Sequence, residues 1–252
     1  MLCKRIITVL TFNNGVLFRT KLFEPDYRYT LNFVDAWSVD EIVVLDVTRS
    51  GQGDKDSFFK VVRDFADRCF VPLTVGGGIR SLEDVRRLMG LGADKVVINS
   101  GAFEDPRLIG AIAGRYGSQC VVLSIDAKQS DDGGHEVRSH AATRATGRDP
   151  VGWAREGQSL GAGEILLTSV ERDGWLQGYD LDLCRSVADA VSVPVLILGG
   201  CGNWKHMEQG FLQGHASAVC TQNIYHFTEK SIQAAKRYLN SKGIPVRMEE
   251  RA

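Results

Sequence analysis

The sequence predicts a (β/α)8 barrel, the TIM-barrel fold, as a single domain over residues 1–252. Three observations favour it. The length suits one large α/β domain, short β-branched runs alternate with amphipathic helical segments from end to end, and the two halves resemble each other. A doubly wound open sheet is the alternative, but a two-part repeat fits an open sheet less well.

Eight apolar runs are the predicted strands. They are nearly continuous rather than alternating, which is typical of parallel strands buried on both faces. In chain order they are RIITVL, EIVVLDV, PLTVG, KVVIN, CVVLSID, EILLTSV, PVLILG and SAVCT.

Helix-start signals lie between these runs. A polar side chain at the N-cap can accept a hydrogen bond from a free backbone N–H, and proline suits the first helical position because it has no N–H. Ser81 and Asp84 resemble a capping box. The predicted helix starts are Ser57, Ser81, Asp105 with Pro106, Asp149 with Pro150, Asp180, Asn203 and Thr228.

The two halves of the chain contain similar segments. VPLTVGGGIRSLEDVRRLMGLGADKVVINSGAF resembles VPVLILGGCGNWKHMEQGFLQGHASAVCTQNIYHF, and DEIVVLD resembles GEILLTS. We therefore expect two (βα)4 half-barrel repeats, and no linker rich in proline or serine separates them.

Composition excludes several functional classes. The 30 basic and 31 acidic residues are interspersed, so no field favours nucleic acid or an anionic membrane. No signal peptide or apolar run of about 18 residues is present, and we expect a soluble cytoplasmic protein. The six cysteines form no C-x-x-C pair, so we expect reduced thiols, no metal and no organic cofactor.

Glycine-rich and polar loops follow four of the predicted strands, at the barrel end where chemistry occurs, which we call the upper face. Glycine lets backbone N–H groups approach an anion closely. One such loop would indicate only turn geometry. Here a glycine loop and a polar loop one strand later occur at corresponding positions in both halves, which predicts two phosphate sites. Two such sites suit a substrate with a phosphate at each end, or a diphosphate. The predicted ligands are Gly76, Gly77 and Gly78 (the first glycine loop), Asn99 and Ser100, Gly199 and Gly200 (the second glycine loop), and Thr221.

Four charged residues precede predicted strands, so they belong to the opposite end of the barrel, the lower face. They are Arg5, Glu41, Lys95 and Glu164. Charges at strand starts are ordinary surface features, but four of alternating sign around one rim are less ordinary. If they point inward, they must pair across the barrel axis, because buried charges need partners. We call them the charged ring.

These segments resemble the cyclase subunit family of imidazole glycerol phosphate synthase, in histidine biosynthesis, over nearly the whole chain. The most specific stretches are MLCKRII, PLTVGGGIRS, GADKVVINS, GSQCVV, IDAK, GAGEILLTSVERDG, GYDLDL, IYHF and GIPVR. The resemblance implies a glutaminase partner that docks on the lower face and sends ammonia through the barrel. It makes the charged ring an ammonia gate and Asp94 a partner contact. It also assigns Arg19, Asp46, Thr168 and Asp173 to the substrate site.

The upper face departs from this family. Its cyclisation uses two aspartates as acid and base; Asp126 matches the second, but Thr11 occupies the first position, and a threonine hydroxyl is a poor acid or base near neutral pH. LILGGCG, CTQN, Trp175 and RTKLFEPDYRYT also differ. The missing aspartate and the LFEPDY segment resemble the family's acetamidino-sugar branch, which makes amidino groups on bacterial surface sugars.

Three functional hypotheses follow. The first is an ammonia-channelling subunit that works with a glutaminase, and with a separate sugar amidotransferase, to amidate a phosphorylated or nucleotide-activated sugar for surface polysaccharide. The second is an authentic cyclase and lyase of histidine biosynthesis, in which another group substitutes at Thr11. The third is a catalytically silent conduit that activates its glutaminase.

Overall fold

The computed structural model describes residues 3–21, 24–29, 39–48, 55–130, 133–222 and 232–248. The strands are β1 (Arg5–Asn13), β2 (Val16–Lys21), β3 (Glu24–Tyr29), β4 (Glu41–Asp46), β5 (Leu73–Gly76), β6 (Lys95–Ile98), β7 (Val121–Gln129), β8 (His135–Ser139), β9 (Arg144–Ala145), β10 (Glu164–Ser169), β11 (Val195–Leu198) and β12 (Ala218–Thr221).

Eight of these strands form a closed parallel barrel. Its cyclic order is β1, β4, β5, β6, β7, β10, β11 and β12, and β12 pairs with β1 to complete the circle. Each barrel strand coincides with one of the predicted apolar runs. The predicted fold class is therefore confirmed, whereas the half-barrel repeat stays a prediction.

Helices surround this barrel. They are α1 (Lys55–Arg68), α2 (Leu82–Gly90), α3 (Ser100–Glu104), α4 (Arg107–Tyr116), α5 (Pro150–Leu160), α6 (Leu181–Ala188), α7 (Trp204–Leu212) and α8 (Ile232–Ser241). The predicted N-caps of α2, α5, α6 and α7 are confirmed: each side chain accepts a hydrogen bond from a backbone N–H in the first turn.

Two helix starts differ from the prediction. Helix α1 begins at Lys55 rather than Ser57, and Pro106 lies at the N-cap of α4 rather than at its first helical position. The Asp105 carboxylate still accepts a hydrogen bond from the backbone N–H of Arg107, at 3.1 Å, so it remains the polar start of this helix. Thr228 lies outside the described residues.

Four strands lie outside the barrel, and the sequence did not predict them. The segment interpreted as the first loop instead forms an antiparallel extension, in which β2 pairs with the upper end of β1 and β3 pairs with β2. The fifth loop likewise contains β8, which pairs with the upper end of β7, and β9. Both extensions rise above the upper face.

The core has two parts. One lies between the sheet and the helices. The other fills the barrel interior, as alternate residues of each strand point inward. Its members are Ile7, Val9, Val43, Val97, Val122, Leu166, Leu196, Leu198, Ala218 and Cys220, with Leu45 packed against them. This apolar interior separates the upper face from the lower face.

The six cysteine thiols are free, as expected, and those of Cys184, Cys201 and Cys220 are buried. Across the described ranges, no helix combines the length and apolar character that crossing a membrane requires.

Candidate functional site

Asp126 lies at the centre of the upper face, where β7 leaves the barrel. It shares the inward face of its strand with Ser124 and Val122, because side chains alternate along a strand. Its carboxylate accepts a hydrogen bond from the Asn99 amide at 2.8 Å and faces the Ser124 hydroxyl at 3.5 Å. The side chain is buried, with only 6% of the residue exposed.

The surroundings of Asp126 oppose its ionisation. Burial raises the pKa of its carboxyl from 3.8 to about 7, and the nearby charge of Asp173 acts in the same direction. Hydrogen bonds from Asn99, Ser124 and Thr168 partly offset this effect. A carboxyl with a pKa near 7 can both release and take up a proton near neutral pH, as general acid–base chemistry requires.

Thr11 lies on the inward face of β1, in line with Ile7 and Val9, and is buried with 3% of the residue exposed. It is the register partner of Leu45 on β4. The threonine hydroxyl does not titrate in the physiological range. The Thr11 position therefore supplies no second carboxylate to accompany Asp126.

The first glycine loop is tightly packed against the end of β4. Gly77 has φ of +114°, and a Cβ atom there would lie 2.2 Å from the Asp46 carbonyl oxygen, so only glycine fits. The Asp46 carboxylate accepts a hydrogen bond from the backbone N–H of Thr48, at 2.9 Å. Gly78 has φ of +65° and faces open space. The loop thus presents backbone on its open side.

The loop after β6 lies beside the first glycine loop. A Cβ atom on Gly101 would lie 2.2 Å from the Ile79 carbonyl oxygen, which fixes this close approach. The Ser100 hydroxyl accepts a hydrogen bond from the backbone N–H of His140, at 3.0 Å, and so ties α3 to the fifth loop. The Asn99 Oδ1 atom is buried without a hydrogen-bond partner among the described residues, while its Nδ2 binds Asp126.

The second glycine loop differs from the first. Gly200 has φ of +100°, and a Cβ atom there would lie 2.1 Å from the Gly178 carbonyl oxygen. The backbone N–H of Gly202, at the start of α7, donates to His206 Nδ1 at 3.1 Å. Burial and the neighbouring Lys205 lower the pKa of His206, which favours the neutral imidazole that can accept this bond.

Three further predicted ligands are placed as follows. The Thr221 hydroxyl hydrogen-bonds with the buried Cys201 thiol, so it contacts the second glycine loop. Asp173 is buried in the first part of the sixth loop, close enough to raise the pKa of Asp126. Arg19 lies on β2, opposite Tyr27 of β3; its side chain is outside the described part of the chain.

The sequence analysis missed several residues at this face. Arg138 of β8 lies directly opposite Asp126, so the two side chains share one face of the ribbon, and Arg138 is ion-paired with Glu136 at 3.2 Å. No signal pointed to Arg138, because β8 itself was not predicted. His206 was missed as well, although its spacing from Asn203 at a helix start was a usable signal.

The rim of the upper face carries an exposed aromatic side chain. Trp175, which the sequence singled out only as a departure from the family, is 44% exposed. The ammonium group of Lys21, on β2, lies 4.5 Å from the centre of the Trp175 ring. This contact joins the first loop to the sixth loop.

At the lower face, the charged ring is closed. Arg5 binds Glu41 at 2.9 Å and Glu164 at 2.8 Å. Lys95 binds the same two carboxylates, at 3.0 Å and 2.9 Å. The predicted pairing across the barrel axis is therefore confirmed, and the two positive and two negative charges balance.

The ring is reached from one side only. The side chains of Arg5 and Lys95 are 25% and 16% exposed, whereas Glu41 is 1% exposed. Thr74, which sequence reasoning missed, donates its hydroxyl to Glu41 at 2.6 Å. Directly above the ring lie the apolar side chains of the barrel interior. The ring thus covers the lower end of the apolar barrel interior, and Asp126 lies at its upper end.

Among the residues that the structure describes, three large apolar side chains are exposed around the lower face. Phe70 precedes β5, Leu212 ends α7, and Met248 follows the bridge between Lys4 and Val246; they are 74%, 56% and 42% exposed. Asp94 is exposed beside them, and its carboxylate accepts a hydrogen bond from the backbone N–H of Leu73 at 2.8 Å. This face therefore combines apolar and acidic groups.

One comparison with known protein families bears on this site. The sequence model of a family described as "Histidine biosynthesis protein" matches residues 8–230. The match covers seven barrel strands in full and β1 from Thr8 onward. It also covers Asp126, both glycine loops and three of the four ring residues; Arg5 lies just before it.

Proposed function

Because the chain belongs to the histidine biosynthesis protein family, whose members are typically barrel enzymes, we propose that it takes up ammonia at its lower face for the amidation of a sugar at its upper face. The sugar is phosphorylated or nucleotide-activated, and the product carries an acetamidino group. One observation carries the proposal: a balanced ring of four charges covers the lower end of the apolar barrel interior, and Asp126 lies at the upper end of the same interior.

The ring suits the passage of neutral ammonia. An ammonium ion would be held by the carboxylates of Glu41 and Glu164, because moving an unpaired charge into the apolar interior is costly. Neutral ammonia carries no such cost. Three hydrogen bonds hold Lys95 to the ring carboxylates. We expect Lys95 rather than Arg5 to move aside, since its ammonium group is a compact charge on a flexible stem, whereas a guanidinium is a rigid planar fork. In this proposal Lys95 opens the gate.

The ammonia source is a glutaminase partner that docks on the lower face. Exposed apolar groups rimmed by polar ones are typical of protein interaction sites. Phe70, Leu212 and Met248 supply the apolar groups, and Asp94 is the predicted polar contact. Docking there places the glutaminase product directly beneath the ring.

The upper face favours a substrate unlike the family's ribotide. Thr11 removes one carboxylate of the acid–base pair, and His206 already accepts the N–H of Gly202 where a terminal phosphate would bind. Asp126, with a pKa raised to about 7, remains to move a proton. A separate amidotransferase activates the amide oxygen of the sugar held at the upper face, and the ammonia that leaves the barrel there displaces that oxygen as its leaving group.

The test compares glutamine with ammonium as the nitrogen source in the complex with the glutaminase. We expect Lys95→Met to lower the yield of amidated sugar per glutamine hydrolysed by at least about ten-fold, while the ammonium-dependent reaction is retained. Lys60→Met, at an exposed site on α1, is the matched control. Equal yields from glutamine in both variants would refute the gate.

The second candidate is an authentic cyclase of histidine biosynthesis, and the tuned carboxyl of Asp126 favours it. Its test gives the unmodified protein the histidine-pathway ribotide with ammonium salt at alkaline pH. Formation of imidazole glycerol phosphate would replace the sugar proposal with this one. If the upper face binds neither ribotide nor sugar nucleotide but the glutaminase is activated, the conduit hypothesis is correct.

A further inference from the structure

Trp175 and Lys21 come from loops that are not neighbours in the barrel. Trp175 follows β10 and Lys21 ends β2, above β1. Two strands, β11 and β12, lie between β10 and β1 in the barrel order. The contact between the two side chains therefore links two loops that β11 and β12 separate in the barrel order.

The turn that carries Trp175 is held in place. Gly174 and Leu176 on either side have φ of +74° and +60°, a conformation that β-branched and bulky residues rarely adopt. The backbone N–H of Trp175 donates to the Arg172 carbonyl oxygen at 3.2 Å. A Cβ atom on Gly202 would lie 2.3 Å from the Leu176 carbonyl oxygen, so this turn packs directly on the second glycine loop.

We propose that Trp175 and Lys21 form a subsite for the base and phosphates of a nucleoside diphosphate. The indole ring, 44% exposed, presents a flat surface on which a nucleobase can stack. Lys21 places a positive charge 4.5 Å from the ring centre, and the turn that carries the ring packs on the second glycine loop. The aromatic ring would bind the base, and the adjacent cation and glycine loop would bind the diphosphate joined to it.

This subsite rests on the proposed function and deepens it, because it assigns the activating group of the sugar. It also accounts for the second glycine loop. The N–H of Gly202 is already bonded to His206, so an anion there needs another charged contact, which Lys21 supplies. The sugar then extends from the diphosphate toward Asp126 at the centre of the mouth.

Calorimetric titration of the full chain with uridine, adenosine, guanosine and thymidine diphosphates, and with inorganic diphosphate, tests the subsite. We expect at least one nucleoside diphosphate to bind at least ten-fold more tightly than inorganic diphosphate. Trp175→Ala should weaken that binding by roughly five-fold to a hundred-fold, the range for one base stack, and Trp175→Phe should retain most of it. Lys21→Met should weaken the nucleoside and inorganic diphosphates by similar factors.

Phe70→Ala, which removes an exposed aromatic ring from the opposite face, and Lys60→Met are the controls. Equal affinity for inorganic diphosphate and every nucleoside diphosphate, or unchanged binding by Trp175→Ala, would overturn the subsite. So would a Trp175→Ala variant that binds nucleotides normally but loses its glutaminase or amidotransferase, since the ring would then be a protein contact. These binding measurements do not depend on the ammonia gate. The nucleotide subsite can therefore be refuted while the gate proposal stands, and the reverse is also true.

Discussion

Asp126 shows how one carboxyl group acquires its chemistry from its neighbours. Burial favours its neutral form, and Asp173 adds a repulsive charge, whereas Asn99, Ser124 and Thr168 stabilise the carboxylate by hydrogen bonds. The net result is a pKa of about 7. A tuned group of this kind at the mouth of a barrel is typical of a site that moves protons.

The raised pKa predicts how stability depends on pH. Between pH 3.8 and about 7 the folded state holds a proton on Asp126 that the unfolded state has released, so this group lowers the free energy of unfolding as pH rises through that window. Asp126→Asn changes the free energy of unfolding by one amount at pH 4 and by another at pH 8.5. We expect the change at pH 8.5 to be more favourable to folding by about 1–4 kcal/mol. Urea denaturation at both pH values measures the difference. An effect of Asp126→Asn that is the same at both pH values would contradict the shift.

Thr11→Asp tests whether only one group separates this chain from the cyclase chemistry that the sequence resemblance implies. The new carboxyl group would share the inward face of β1 with Ile7 and Val9, at the upper end of the barrel interior. Under the sugar proposal we expect no turnover of the histidine-pathway ribotide by the unmodified protein, and slow turnover by Thr11→Asp, measured with ammonium salt. Thr11→Asn is the isosteric control and should stay inactive. Turnover by the unmodified protein would disprove this expectation.

At the scale of elements, the sequence correctly predicted the structures that depend on local interactions. Each barrel strand is buried on both faces and therefore reads as an apolar run, and the N-caps of α2, α5, α6 and α7 bind the N–H groups that their residue types predict. The strands of the two extensions, β2 with β3 and β8 with β9, were not predicted because they lie outside the barrel core. Segments such as EPDYRY and HEVRS contain proline or alternating charge, and their pairing depends on the ends of β1 and β7.

Asp180 connects β8 with the start of α6. Its carboxylate caps α6 by accepting from the N–H of Leu183 at 3.1 Å, and its other oxygen contacts His135 of β8 at 3.1 Å. We expect Asp180→Ala to lower the free energy of unfolding by about 1–2 kcal/mol, mostly through the lost cap. His135→Ala retains the cap and should cost less than half as much. Thermal denaturation compares the two, and equal losses would show that the cap is not the main contribution.

At the scale of the whole molecule, charges are brought together by closure of the barrel. The four ring residues come from four strands spread over residues 5–164, yet they form one balanced set. Their positions were predictable because strand starts converge at one end of a barrel. The Lys21–Trp175 contact was not predictable, since it joins loops whose shapes depend on β2 and on the second glycine loop.

A second buried ion pair links α8 to β1 through Asp40, the residue before β4. Lys236 of α8 is 2% exposed and donates to Asp40 Oδ1 at 2.6 Å, while Asp40 Oδ2 accepts from the N–H of Ile6 at 2.9 Å. We expect Lys236→Met to lower the free energy of unfolding by about 3 kcal/mol, because it removes the main partner of a buried carboxylate. Arg247, 3.3 Å from Asp40, offers partial compensation.

Urea denaturation of Lys236→Met, Asp40→Asn and the double variant measures this coupling. The double variant should be destabilised by less than the sum of the single variants, since it leaves no unpaired charge. Additive losses would mean that the two groups contribute independently.

The buried thiols allow opening of the barrel to be followed over time. Burial raises the pKa of Cys184 to about 12 and of Cys201 to about 11, and it raises the pKa of Cys220 well above its ordinary value. A thiol reacts with alkylating reagents as the thiolate, so these sulfurs are labelled only when their surroundings open. They report on different places: beneath α6, in the second glycine loop and inside the barrel. Mass-resolved labelling rates would therefore give the order in which these regions open.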